Sequence, residues 1–90
     1  MSIEINIPPS LQVLVDGVGR IEVEGSTVGA CLRALVRLYP RLKEEIFMPN
    51  GRLPKGLNIY INRKSANPRP LVQPVRDGDK VHIAYVVLGG

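Results

Sequence analysis

The sequence predicts an α+β domain, a mixed sheet of four to five strands with one main helix packed across one face. Three observations carry this. Ile3, Ile5 and Ile7 alternate with Glu4 and Asn6, the period-two pattern of a half-buried strand. Val28, Cys31, Leu32, Leu35, Val36 and Tyr39 recur at helical spacing and form a single apolar stripe. Two further alternating runs, Leu57 to Asn62 and Lys80 to about Val86, follow the helix. Ninety residues, 44% hydrophobic and 22% charged, make one small domain with one compact core.

The elements follow in order. Pro8-Pro9 stops the first strand, and Leu11 to Val15 reads as a short apolar extended piece of open register. Asp16-Gly17-Val18-Gly19 supplies turn chemistry. Ile21 and Val23, set between Arg20, Glu22 and Glu24, form a second strand that pairs back as a hairpin. Gly25-Ser26-Thr27 starts the helix, with Ser26 or Thr27 offering a side-chain oxygen to the first free N–H groups. Arg33 and Arg37 fall on its wet face, and Pro40 ends it.

Arg41 to Met48 forms a further short turn, with Leu42, Ile46 and Phe47 packing. Pro49-Asn50-Gly51 and Pro54-Lys55-Gly56 bracket a loop before the strand Leu57 to Asn62. Residues 63–76, rich in proline and arginine, read as loop with a short edge strand around Leu71-Val72. Asp77-Gly78-Asp79 is a tight turn. The last strand carries Val81, Ile83 and Tyr85 on one face and His82, Ala84 and Val86 on the other. A last strand at the sheet centre, beside the first, accounts for the weak polarity of that outer face.

The single cysteine forbids an internal disulfide. No basic segment followed by an apolar run opens the chain, and the longest apolar run, Ala84 to Leu88, is far below the roughly 20 residues a bilayer requires. The expectation is a reducing, cytoplasmic setting with no membrane partner. A net charge of +4 points to a partner carrying negative charge.

Nucleic acid is disfavoured as that partner. With one phenylalanine and no tryptophan, the chain lacks the aromatic interleaving that stacks bases. Cys31 lies in the core stripe and reads as structural, since reactivity requires an exposed thiolate. His82 is the only histidine and has too few companions to hold a metal. Asp77 and Asp79 belong to their turn, and Glu44 and Glu45 are adjacent and point different ways. Gly17-x-Gly19 begins a phosphate-loop pattern, but position 22 is glutamate and no helix follows. No nucleophile–base constellation emerges, so the chain reads as a carrier or substrate and not as an enzyme.

Several of these pieces together carry a resemblance: the apolar first strand, Gly25-Ser26-Thr27 with Val28 and Leu32, Asn58-Ile59-Tyr60-Ile61-Asn62, Asp77-Gly78-Asp79-Lys80-Val81 and Gly89-Gly90. Over essentially its whole length the chain resembles the ThiS/MoaD sulfur carriers, the prokaryotic relatives of ubiquitin. Its length and its Asn-Ile-Tyr-Ile-Asn strand are more similar to the MoaD-like members, including the carrier used in one route to cysteine. The resemblance implies the β-grasp fold, with residues 1–86 as the domain and 87–90 as a flexible Gly-Gly tail.

It further implies that Gly90 is first acyl-adenylated and then converted to a thiocarboxylate. Sulfur would go to molybdopterin, thiamine, cysteine or a thiolated tRNA base. The implied partners are a ubiquitin-activating-type adenylating enzyme that uses ATP and Mg, a sulfur donor, and a sulfur-accepting synthase with a larger subunit. No cofactor would be bound by the chain itself. Gly89 would pass a narrow channel, and Val86, Val87, Leu88, Ala84 and His82 would contact the partner. The family tail commonly has proline and alanine before the glycines, where this chain has Ala84-Tyr85-Val86-Val87-Leu88. A ubiquitin-like modifier joined through Gly90 to lysines, and a non-conjugating RNA- or protein-binding module, are the alternatives.

Overall fold

A computed structural model describes residues 1–85; Val86, Val87, Leu88, Gly89 and Gly90 lie outside the described residues. Strand β1 (Ser2–Asn6) turns Ile3 and Ile5 fully inward and leaves Ser2, Glu4 and Asn6 on the outer face. It pairs antiparallel with β2 (Arg20–Glu24), setting Ile3 against Val23 and Ile5 against Ile21, so the expected hairpin forms with its apolar positions in register.

The link between these strands differs from the sequence expectation. Leu11 to Val15 is not extended: α1 (Pro9–Gln12) runs into a 3-10 turn at Val13–Val15. Leu11 and Val15 are buried four residues apart while Val13 is 72% exposed, which is helical and not strand spacing. Pro9 presets the first helical φ. Asp16 and Gly17, at φ 56° and 79°, end the turn in left-handed conformations, where the Gly17 N–H donates to the Gln12 carbonyl at 2.8 Å.

The main helix, α2 (Val28–Leu38), is capped by Thr27, whose hydroxyl accepts from the Ala30 N–H at 3.1 Å. Val28, Cys31, Leu32 and Leu35 are fully buried, Val36 and Tyr39 are half-buried, and Arg33 and Arg37 face solvent. The helix stops before Pro40, and a 3-10 turn (Pro40–Leu42) leads into α3 (Lys43–Ile46), which buries Leu42 and Ile46.

Three strands complete the sheet: β3 (Leu57–Ile61), β4 (Lys64–Ser65) and β5 (Lys80–Tyr85). The order is β2-β1-β5-β3-β4, with β1 and β5 parallel and the other pairs antiparallel. First and last strands therefore meet at the centre and α2 covers one face, the β-grasp arrangement expected. The edge strand, however, is not at Leu71-Val72. Pro70–Val72 is a 3-10 turn, and the edge is Lys64–Ser65, joined to β3 through Asn62 at φ 57°. Pro68 and Pro70 have no N–H to give a ladder, so that stretch cannot pair as a strand.

Two local networks hold these parts in place. The Val28 N–H donates to Gln73 O and the Val75 N–H to Ser26 O, each at 3.0 Å, lashing the 70–75 segment to the start of α2. The helix approaches so closely that a Cβ on Gly29 would lie 2.8 Å from the Leu71 carbonyl oxygen and 3.1 Å from Arg33 Nη1. At the start of β5, the Asn62 side chain accepts from the Lys80 N–H at 3.1 Å and donates to Asp79 Oδ1 at 3.2 Å. Asp79 Oδ2 accepts from the Arg76 N–H at 2.8 Å, and the Glu4 N–H donates to the Asp79 carbonyl at 3.1 Å. The conspicuous Asn62 and Asp77-Gly78-Asp79 are thus clamps that seat β5 between β1 and β3. The donors aimed at Asp79, the Arg76 N–H first and Asn62 second, hold its carboxyl below the ordinary value of 3.8.

Gly29→Ala is expected to destabilise the fold by about 1–3 kcal/mol through the clash with the Leu71 carbonyl. An unobstructed helical Gly→Ala would gain about 1 kcal/mol, so the sign in urea unfolding tests the contact. Asp79, with its lowered pKa, contributes stability above 3.8 that is lost as pH falls through its folded value. Asp79→Asn should therefore flatten the fall in unfolding free energy between about pH 5 and pH 2.5, by less than about 1 kcal/mol because solvent screens the group. An unchanged acid profile would remove Asp79 from the clamp.

Candidate functional site at the end of the central strand

β5 has a neighbour on each side as far as His82, and beyond it only β3 accompanies the strand to Tyr85, where the described structure ends. Register fixes the surroundings. His82 lies between Asn6 of β1 and Tyr60 of β3, Ala84 opposite Asn58, and Tyr85 opposite Leu57. His82 and Ala84 are half-buried on the outer face, as the alternation predicts, since Val81 and Ile83 fill the core. Tyr85 turns inward, and its hydroxyl donates to the Glu45 carbonyl of α3. Burial, and then the negative charge of Glu45, push its phenol above the ordinary 10.0. The last described residue is thus held by the β3 ladder and by α3.

Alongside His82 and Ala84 lies a concavity of about 440 Å³, closed on its other side by Ile7, Pro8 and Pro9. Its lining among the described residues includes no Asp, Glu, Lys or Arg. Such a surface, with His82 and Tyr85 as its titratable side chains, can dock an apolar partner group. A concavity of about 580 Å³ beneath Ile61–Ala66 lies toward the opposite end of β5, since Ile61 pairs with Val81, and it carries no nucleophile–base pair.

The other candidates sort as follows. Cys31 is fully buried, and burial raises its thiol pKa, so it is a packing residue. Asp77 accepts from the Ser2 N–H at 2.6 Å, which with the Asp79 contacts confirms both aspartates as turn residues. Glu44 and Glu45 stay exposed on α3. Among the described residues no group of His, Cys, Asp or Glu is placed to hold a metal ion, and no helix is long and apolar enough to cross a membrane. Gly90, Gly89, Val86, Val87 and Leu88 lie outside the described residues. Tyr60 and Asn58 were available from alternation as outward neighbours of His82 and Ala84. Pro8 and the Tyr85–Glu45 contact, which depend on a parallel pairing and a distant helix, had no local signal.

Similar solved structures agree with this geometry. A chain of the BexX/CysO complex from Amycolatopsis orientalis is 25% identical, with a TM-score of 0.87, covering 98% of this chain and 99% of that one. SAMP1 from Haloferax volcanii is 27% identical, with a TM-score of 0.86 and complete coverage of both chains. CysO from Mycobacterium tuberculosis is 28% identical, with a TM-score of 0.85, covering 94% of this chain and 99% of that one. No curated protein matches the chain. The model of the ThiS family matches residues 11–90, most of the length and the whole of α2 through β5. The chain therefore belongs to the ThiS family, on a β-grasp, ubiquitin-like fold.

Proposed function

We propose that the chain is a sulfur carrier whose working group is the carboxylate of Gly90. The observation that carries this reading is the extent of the family match, which runs through residue 90 and takes in Gly89 and Gly90. The end of β5, where β1 has stopped pairing and only β3 remains alongside, supports it. Five residues follow Tyr85, a reach of at most about 16 Å at roughly 3.3 Å each, enough to enter a partner's site. Glycine at 89 and 90 leaves the carbonyl unhindered.

A carboxylate is a poor electrophile, and activation is the first requirement. A partner adenylating enzyme, using ATP and Mg, would join a Gly90 carboxylate oxygen to the α-phosphorus and release pyrophosphate. A sulfur nucleophile would then form a C–S bond at the carbonyl as AMP leaves with the C–O electron pair, giving the thiocarboxylate. His82, Ala84 and the apolar Val86, Val87 and Leu88 would be contact residues, each fully buried aliphatic adding about 1.5–3 kcal/mol. The likeness to a chain of the BexX/CysO complex supports a partner protein, and a sulfur-accepting one is the proposed kind. The cytoplasm is the proposed compartment.

A second reading has its own support. SAMP1, a small archaeal modifier protein, aligns over the whole of both chains. In that reading AMP is displaced by a lysine amine, leaving an isopeptide bond from Gly90.

Intact mass of the protein from its own cell, purified without reductant or amines, is expected to show a gain of about 16 Da at Gly90 once oxygen is replaced by sulfur. A mass unchanged after incubation with an adenylating enzyme, ATP and a sulfur source would overturn the carrier reading, and higher-mass lysine conjugates would favour the modifier. Deleting Gly90 should abolish carrier activity and leave Tm within about 2 °C, because the described core closes without it. A larger loss of stability would contradict a tail that acts outside the body.

A further inference from the structure

Nine of the twelve basic residues fall between Val28 and Val72, against two of the eight acidic ones. The fold gathers three of them, Arg52, Lys55 and Arg69, around one cleft of about 690 Å³ between segment 52–58 and segment 67–72. No carboxylate and no aromatic side chain lines this cleft among the described residues. Leu53 and Leu71 are half-buried in its walls, and Val72 is 65% exposed.

A row of exposed cations alone is a solvated face. Here the cations, with Asn58 and Asn67, rim a hollow that has Leu53, Leu57, Leu71 and Val72 in its walls, which adds a place for an apolar side chain between flanking charges. The walls are also set before any ligand arrives. Pro54, Pro68 and Pro70 restrict them, and the close approach at Gly29 together with the Val28 and Val75 hydrogen bonds ties segment 67–72 to α2. Little ordering cost is left for binding. Arg33 extends the basic character along α2, since its Nη1 and the Leu71 carbonyl flank the same side of Gly29.

We propose that this cleft docks an acidic segment of a partner protein, a peptide with carboxylates spaced around a leucine-like anchor. Charge complementarity selects the carboxylates and the hollow selects the anchor. The absence of an aromatic platform in the cleft disfavours single-stranded nucleic acid. The cleft also lies beside the root of the tail: Leu57 lines it and is paired with Tyr85. A partner handling Gly90 would therefore have this cleft within reach, but the docking does not depend on the chemistry at Gly90.

The test is an amide-resolved NMR titration of the full chain with a decapeptide alternating glutamate and leucine. Shifts should cluster on segments 52–58 and 67–72, and affinity should fall as salt rises from about 50 to about 300 mM. The double substitution Arg52→Glu/Arg69→Glu, both sites exposed, should weaken binding about tenfold at unchanged Tm. Val72→Ser should weaken it about threefold without altering the salt dependence. Deleting Gly90 should leave it intact, which separates this site from the carrier reading. The proposal is overturned by an absence of shifts at millimolar peptide, by shifts elsewhere, or by equal binding of a glutamine–leucine peptide or of plain polyglutamate. Tighter binding of an oligouridylate through the same residues would overturn it in favour of nucleic acid.

Discussion

The first and last strands lie side by side and parallel, and no hairpin can join a parallel pair. The chain between them has to leave the sheet, cross a face and return. That requirement organises the molecule: β2 pairs on the free side of β1, α2 crosses the inner face, and β3 returns on the far side of β5. Each step buries a stripe that the previous element left open, from Ile3 and Ile5 under Leu32 and Leu35 to Ile59 and Val81. A parallel pair at the centre also explains the clamp of Asn62, Asp79 and Glu4 at the start of β5, which fixes the strand against both neighbours at once.

The same constraint decides where function can reside. β5 starts between β1 and β3, but its β1 pairing stops at His82, so it ends with β3 on one side, the β1 side open, and Tyr85 tied to α3. Whatever follows Tyr85 starts from a defined point beside a concavity lined by no Asp, Glu, Lys or Arg among the described residues and near a basic cleft. Those two surfaces differ in what they can recognise. One offers apolar contact, and the other offers charge around an aliphatic hollow. A small body can be selective by presenting two surfaces of such different chemistry.

Much of the fold was legible because its signals are local. Alternation located β1, β2, β3 and β5, and the stripe from Val28 to Tyr39 located α2 and the burial of Cys31. Two stretches misled for identifiable reasons. Leu11 and Val15 sit in an apolar run, and a continuous run does not distinguish a strand from a buried helical turn. Leu71-Val72 has strand-like residues, but the prolines around it remove the donors that pairing requires. The edge strand that does form, Lys64–Ser65, has no apolar alternation and exists because Asn62 turns the chain back on β3.

By itself the sequence determined α2 and the four alternating strands, the inward and outward faces of those strands, and the residues of the family pattern through Gly90, since these depend on spacing and residue type. Only the tertiary structure decided that Lys64–Ser65 forms the edge, that Pro8 and Ala84 line one concavity, that Tyr85 reaches Glu45, and that Arg52 and Arg69 share a cleft. The reason is physical. Periodicity records whether a residue faces the core or the solvent, whereas a partner forty residues away is chosen by the packing of the whole chain.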